Sequence, residues 1–381
     1  MRISTLLKLS IFYLIMLSIM LQDSTAQIRK MPESSEGGRA EGDLWAHVPE
    51  HIQNYPFPEF PIPDNLQEWQ KRRQEIREIL TRCLGNIPPR PENLKVKTIS
   101  REDRGDYLLE KFEFDNEVDG IVPGYLMLPK NGKKPVPAIM ALHGHGSSKE
   151  SVTIDASSSQ QVGERLVKKG YVVAAIDSYF NGERIGRGPA TGLDDNRQQE
   201  HSYFKLHLWF GRTLWGMMLR DEQILLDYLQ TRSEVDAGRI AATGMSMGCT
   251  RSWWLGAMDE RVQAVVGIAC FTRFTDLIAH GNLRMHGIYY FVPGIMEHFD
   301  SEAIYALVAP RPMLMLSGDE DGGAPTSGII KLEEILGKMY RLYDKPEHFR
   351  SVVYANTGHE YLPEMKEEML AWIEKYLPVE E

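Results

Sequence analysis

The pentapeptide at residues 244–248 reads Gly-Met-Ser-Met-Gly and places a serine among small and flexible neighbours. A short apolar run, 239–243, precedes it, and a helix-like stretch, 249–257, follows it. Ser246 should therefore lie on a tight turn between a strand and a helix, a conformation that exposes its hydroxyl and needs small residues where the two backbones approach. Such a serine can attack an acyl carbon once a base removes its proton. We predict that Ser246 is a nucleophile.

An acid and a histidine follow Ser246 in the order that this chemistry requires. Asp321 comes after the strand-like run 312–317, and His359 comes after the strand-like run 349–355. Both positions follow the C-terminal end of a strand, where an open α/β sheet binds its ligands. We expect His359 to take the serine proton and Asp321 to orient the imidazole. Asp319, in the same loop, is the alternative acid.

A tetrahedral intermediate formed on Ser246 would carry a negative oxygen that needs two preorganised donors. The backbone amide of Met247, directly after the serine, is predicted to be one of them. The second should come from the loop after the apolar run 138–142, which reads His-Gly-His-Gly at residues 143–146. Two histidines this close could also be read as a metal site. No acidic or cysteine ligand stands nearby, so we expect neither a metal nor another cofactor.

The elements that must position these residues alternate between strand and helix from residue 136 onward, which predicts an α/β fold. The continuous apolar run at 138–142 is typical of a buried parallel strand, and further strands are predicted at 171–176 and 262–269. Three earlier runs, at 94–99, 107–114 and 121–128, are separated by polar turns and predict antiparallel strands at the start of the sheet. Apolar periodicity predicts helices at 66–84, 160–169, about 214–229 and 363–377.

The N-terminus has the features of a secretory signal peptide, predicted as residues 1–26. A positive start with Arg2 and Lys8 leads into an apolar stretch that ends in Ser-Thr-Ala at 24–26, a small-residue cleavage signature. A retained membrane anchor is the alternative. We expect export to the periplasm or the medium, without stable membrane insertion after cleavage.

Two regions are expected after the signal peptide. Residues 27–92 are predicted to be an N-terminal extension with one helix. Residues 93–381 are predicted to be the catalytic domain, with insertions at 178–210 and 271–300, where the alternation of strand and helix breaks. Insertions at the C-terminal edge of a sheet often carry function.

Charge and cysteine content exclude some classes of protein. The formal net charge is −10, with basic residues scattered along the chain, so nucleic acid is not an expected partner. Three cysteines are few for an exported chain, so a disulfide framework is not indicated. We expect buried thiols at Cys83, Cys249 and Cys270, with a single disulfide as the alternative.

The two insertions are rich in arginine and aromatic residues, which suit uronic carboxylates and sugar rings respectively. The substrate-binding candidates are Arg273, the first choice, with Arg212 and Trp215, and beyond them Arg184, Arg187, Trp209, Tyr289 and Tyr290. Ordinary packing or solvent exposure is the alternative for each residue.

Together these motifs resemble the α/β-hydrolase superfamily, and within it the dienelactone-hydrolase-like and acetyl-xylan-esterase-like branch of secreted carbohydrate esterases. The resemblance spans roughly residues 120 to 380 and is carried by residues 143–146, 244–248, Ala-Pro-Arg-Pro at 309–312, Gly318-x-x-Asp321 with Pro325, and Gly358-His359. It implies an α/β-hydrolase fold, with a mostly parallel central sheet flanked by helices. It also implies that the amide of His145 is the second oxyanion donor. Dienelactone hydrolases use a cysteine where this chain has Ser246, so ordinary ester hydrolysis is favoured.

The expected activity is that of an exported serine esterase that removes O-acetyl groups or uronate methyl esters from plant cell-wall carbohydrates. A serine peptidase of the same fold is the first alternative. A glycan-binding protein on an inactive hydrolase scaffold is the second, and it would need a broken triad.

Overall fold

A nine-stranded sheet forms the centre of the computed structural model, which describes residues 48–132, 135–188, 196–280 and 282–380. The strands are β1 (Val96–Asp103), β2 (Tyr107–Asp115), β3 (Ile121–Pro129), β4 (Val136–Leu142), β5 (Val172–Ile176), β6 (Val235–Met245), β7 (Val262–Ile268), β8 (Met313–Gly318) and β9 (Phe349–Tyr354). Their order across the sheet is β1-β2-β3-β5-β4-β6-β7-β8-β9. The first three strands pair antiparallel, and β3 pairs antiparallel with β5. The six strands β4 to β9 are parallel to one another. The predicted fold class is therefore confirmed.

Helices connect and flank these strands. In the described residues they are α1 (Glu50–Gln53), α2 (Leu66–Leu84), α3 (Lys149–Thr153), α4 (Gly163–Lys168), α5 (Asn196–Trp209), α6 (Leu214–Thr231), α7 (Met247–Met258), α8 (Phe274–Ala279), α9 (Ser301–Ala306), α10 (Thr326–Leu342) and α11 (Pro363–Tyr376). Short 3-10 turns lie at 182–184, 283–285, 288–290, 295–297 and 346–348.

The parallel strands are buried on both faces, because alternate residues enter two separate apolar clusters. In β4, Met140 packs in the cluster that includes α2, α6 and α10, whereas Ile139 packs in the cluster that includes α4 and α11. Burial on both sides explains why these strands are continuous apolar runs in the sequence. The rigid layer they form holds the strand ends, and with them the loops that carry the candidate site.

Several elements differ from the sequence predictions. The helix expected at 160–169 is shorter, at Gly163–Lys168, because the backbone of Val162, with φ −133° and ψ −17°, is not helical. The insertion at 178–210 contains α5, and α10 was not predicted at all. The predicted signal peptide, residues 1–26, lies outside the described residues. No helix in the described part of the chain combines the length and the apolar character needed to cross a membrane.

Candidate active site

Ser246 lies on the turn between β6 and α7, in a backbone conformation that non-glycine residues rarely adopt. Its φ is 59° and its ψ is −121°, and its amide donates to the carbonyl of Ile268, at 2.9 Å. The tight turn depends on Gly248, because a Cβ at that position would lie 1.9 Å from the carbonyl oxygen of Leu142. Strained backbone of this kind costs of order 1–3 kcal/mol and persists where the surroundings fix it. Ser246 therefore lies on a tight strand-to-helix turn, and its role as the nucleophile stays a prediction.

The loops after β8 and β9 are joined by backbone contacts. A Cβ on Gly318 would lie 2.1 Å from the carbonyl oxygen of Thr357, so only glycine permits this approach. The amide of Glu320 donates to that same carbonyl, at 2.9 Å, and the amide of Thr357 donates to the Asp319 carboxylate, at 3.2 Å. Asp319 is thus an exposed residue that ties the two loops together, whereas Asp321 is buried.

Ser246, His359 and Asp321 form a continuous hydrogen-bonded chain. Nε2 of His359 lies 2.9 Å from Oγ of Ser246, and Nδ1 lies 2.8 Å from Oδ2 of Asp321. The other oxygen of Asp321 accepts the amide of Gly323, at 2.9 Å. With Nδ1–H donated to the carboxylate, Nε2 is free to accept the serine proton. The arrangement can activate a hydroxyl and hold the imidazolium that forms.

The turn at residues 143–146 carries the second region of interest, and His143 is built into it. The Ser178 amide donates to Nε2 of His143, at 3.0 Å, and Nδ1–H donates to the Gly144 carbonyl, at 2.8 Å. Burial and the nearby Arg251 guanidinium keep the pKa of His143 well below its usual value, so the ring is neutral. Both ring nitrogens are occupied by the protein, which leaves neither for a metal ion.

The backbone on either side of His145 is fixed by side chains. The Gly144 amide donates to Oε1 of Gln160, at 2.8 Å, and the Gly146 amide donates to Oδ1 of Asn181, at 2.9 Å. Met247, the other predicted oxyanion donor, is the first residue of α7, so its amide has no acceptor one turn earlier in the helix. An amide of this kind at a helix N-terminus is suited to bind a negative oxygen.

Glu200 is a component of the site that sequence reasoning missed. It lies on α5 within the first insertion and is 3% exposed. Its Oε2 is 2.8 Å from Nε2 of His145, and its Oε1 accepts the amide of Tyr289, at 3.2 Å. No motif marks this position, since nothing local in the sequence shows that α5 meets the 143–146 turn.

Arg273, the first choice for substrate binding, is surrounded by carboxylates of the protein itself. Its guanidinium lies 3.0 Å from Asp276, 3.2 Å from Glu302 and 3.9 Å from Asp300. These groups raise the pKa of the Arg273 guanidinium against the opposing effect of burial. A substrate carboxylate would compete with partners already in place, so this geometry argues against a direct role of Arg273 in binding.

The remaining arginine and aromatic candidates are dispersed. Nε of Arg212 donates to Nδ1 of His207, at 3.0 Å, in the loop between α5 and α6. Trp215 is buried, and its ring packs on Tyr289, whose own ring contacts that of His145, at 5.2 Å between centroids. Trp215 therefore contacts the His145 ring only through the intervening ring of Tyr289. Arg184 is buried against Asp221 and Tyr290 is buried, whereas Arg187 and Trp209 are exposed.

None of the three cysteines forms a disulfide. Cys249 and Cys270 are buried, as expected from the sequence, and burial raises the pKa of both thiols, that of Cys270 to about 12. Cys83 is half-buried. Thiols held protonated in this way are poor nucleophiles.

A mostly parallel sheet with a serine on a strand-to-helix turn, hydrogen-bonded to a histidine and an acid from later strand ends, defines an α/β-hydrolase. The chain belongs to the Abhydrolase family: residues 51–369 match the model of that family, Abhydrolase_7. The predicted resemblance and the prediction of a hydrolase enzyme are confirmed.

Relatives and solved structures agree with this assignment. The chain is 33% identical to the putative hydrolase YtaP of Bacillus subtilis over 311 residues, which are 80% of this chain and 100% of the relative. A glucuronoyl esterase from Solibacter usitatus superposes with a TM-score of 0.65 at 18% identity and covers 84% of this chain and 98% of its own. A putative acetyl xylan esterase from Bacteroides fragilis also gives a TM-score of 0.65, at 21% identity, with 90% and 97% covered. At such identities the two structures establish the shared fold.

Proposed function

We propose that this protein is an exported serine esterase that removes O-acetyl or uronate methyl ester groups from carbohydrates. The observation that carries the proposal is the hydrogen-bonded chain Ser246–His359–Asp321, with links of 2.9 and 2.8 Å. The names of the structural neighbours, a glucuronoyl esterase and a putative acetyl xylan esterase, support the ester and the carbohydrate parts of it.

The reaction proceeds through an acyl-enzyme. Oγ of Ser246 attacks the ester carbonyl while its proton passes to Nε2 of His359, and the carbonyl oxygen becomes negative. The amides of Met247 and His145 donate to that oxygen, and loss of one such donor typically costs about 3 kcal/mol of barrier. The intermediate collapses when the ester C–O bond breaks, and His359 gives its proton to the departing alcohol.

Water completes the cycle by the same route in reverse. His359 takes a proton from water, the hydroxide attacks the acyl carbon, and the second tetrahedral intermediate releases the acid as the proton returns to Ser246. Asp321 stays ionised throughout and holds the imidazole with Nδ1–H toward the carboxylate. No cofactor takes part in these steps, because the proton acceptor, the nucleophile and the oxyanion donors are all protein groups.

An inactive glycan-binding scaffold is disfavoured by the intact triad geometry. Buried Asp321 and the strained turn at Ser246 would both be costs without a use in a protein that only binds.

The proposal is tested by incubating the purified mature protein with acetylated xylan and with methyl-esterified glucuronoxylan. Release of acetate or methanol is measured beside Ser246→Ala as the matched control. We expect one of the two products from the wild type and neither from the variant. Equal release by Ser246→Ala, or activity only on peptide substrates, would contradict the proposal.

A further inference from the structure

Glu200 is a buried carboxylate whose two oxygens are both used. One accepts Nε2–H of His145 and the other accepts the amide of Tyr289. Among the described residues no lysine or arginine forms an ion pair with Glu200; its side-chain partner is the imidazole of His145. A carboxylate buried without a cationic partner of this kind is costly, so its contacts must be specific for it to be tolerated.

His145 is the point where both insertions meet the turn after β4. Asn181 and Glu200 belong to the first insertion and Tyr289 belongs to the second. The ring of His145 packs edge-on against Phe180, at 5.9 Å, and against Tyr289, at 5.2 Å. The insertions thus do more than cover the site, because they fix the residue whose amide is the proposed oxyanion donor.

We propose that Glu200 is a positioning residue of the oxyanion hole and acts through the imidazole of His145, an inference that rests on the proposed function. Gln160 and Asn181 hold the amides on either side, and Glu200 holds residue 145 itself through its side chain. Oxyanion donors are effective only when they lie about 2.7–3.1 Å from the developing charge. Without Glu200 the ring is released and the His145 amide is free to shift.

The expected signature is a loss in turnover that does not depend on the alcohol part of the substrate. Misplacement of a catalytic group by 1 Å can cost about a hundredfold. Glu200→Ala should therefore lower kcat about tenfold to a hundredfold, with KM changed less than about twofold, on both 4-nitrophenyl acetate and an acetylated xylo-oligosaccharide. Glu200→Gln keeps one amide oxygen as acceptor for two donors, so the decrease in kcat should be intermediate.

The experiment compares these variants with His145→Ala, with the double variant and with Glu110→Ala. Glu110 is also a fully buried glutamate, but it lies on β2 and binds Arg232, at 3.1 Å, and Arg101. We expect Glu110→Ala to lower the melting temperature while kcat stays within about twofold of the wild type. In the His145→Ala background, loss of Glu200 should lower kcat by no more than about threefold, because coupled residues are not additive.

Three results would overturn the inference. If Glu200→Ala keeps the wild-type kcat, Glu200 has no positioning role. A loss confined to KM for the sugar ester makes Glu200 a substrate contact instead. An equal loss of kcat in Glu110→Ala attributes the effect to general destabilisation. Failure of the proposed function is separate from all three, since it appears as a wild type with no more activity on either ester than Ser246→Ala.

Discussion

Replacing Asp321 by asparagine should reverse the tautomer of His359. One oxygen of Asp321 accepts the Gly323 amide, at 2.9 Å, and the other accepts Nδ1–H of His359, at 2.8 Å. In Asp321→Asn the single amide oxygen is needed by Gly323, so the NH2 group faces Nδ1. The imidazole then carries its proton on Nε2, toward Ser246, and cannot accept the serine proton.

The loss follows from that geometry. A triad histidine in the wrong tautomer typically lowers kcat about 10⁴-fold, which corresponds to about 5.5 kcal/mol of barrier. Asp319→Asn is the matched control, because the exposed Asp319 carboxylate accepts the Thr357 amide, at 3.2 Å, and asparagine keeps an acceptor oxygen there. We expect it to change kcat less than about threefold, within the range of ordinary surface substitutions.

The assay is steady-state hydrolysis of 4-nitrophenyl acetate by both variants and the wild type, with melting temperatures to verify folding. A larger loss in Asp319→Asn than in Asp321→Asn, or a loss below tenfold in Asp321→Asn, would refute the assignment of the acid and the tautomer argument with it.

Three further predictions follow from the charges and the N-terminus. At pH 8, where the Glu302 carboxyl is ionised, Arg273→Ala should destabilise the fold by about 3–5 kcal/mol, because buried Glu302 and Asp300 lose their cation. The exposed pair Arg350–Glu368 should tolerate Arg350→Ala. Equal melting temperatures of the two variants, or weaker binding of acidic but not neutral sugar esters, would count against this. Burial and then Asp300 raise the pKa of Glu302 to about 7 from 4.5, so the folded protein holds a proton that the unfolded chain releases, and stability is lost as pH rises through that window. Between pH 5 and 8, the melting temperature of Glu302→Gln should rise relative to that of the wild type as the pH rises. A difference in melting temperature that does not change with pH would exclude the effect. The mature protein should begin at Gln27 outside the cytoplasm, and N-terminal sequencing that finds Met1 on soluble cytoplasmic protein would contradict export.

Local pattern was sufficient to predict the sheet and the loops that carry the proposed triad. The β4 run at 138–142 is apolar throughout because both its faces are covered, and Ser246, Asp321 and His359 each follow a strand end by local sequence alone. Gly318 belongs to a sequence motif, but the reason for a glycine there depends on two loops that lie far apart in the chain, because a Cβ at this position would lie 2.1 Å from the Thr357 carbonyl oxygen.

What could not be predicted depends on long-range contacts. Glu200 contacts His145 across 55 positions, and no sequence pattern marks such a pair. Arg273 follows a strand end, a position that favours a role in the site, yet its guanidinium pairs with Glu302, 29 positions later in the chain. α10 has an apolar face, with buried Ile329, Leu332 and Leu336. Its first residues, Thr-Ser-Gly at 326–328, directly follow the loop that carries Asp321, so the start of a helix is not evident from the sequence.

The central claim is that Ser246 is the nucleophile, and it is tested most directly by locating a covalent adduct. The mature protein is treated with a fluorophosphonate probe, digested and analysed by peptide mass spectrometry, beside Ser246→Ala and the nearby buried-serine control Ser252→Ala. The probe should be found on the peptide that contains Ser246, at the same extent in Ser252→Ala and absent from Ser246→Ala. An adduct on any other residue, or labelling that persists in Ser246→Ala, would contradict the claim.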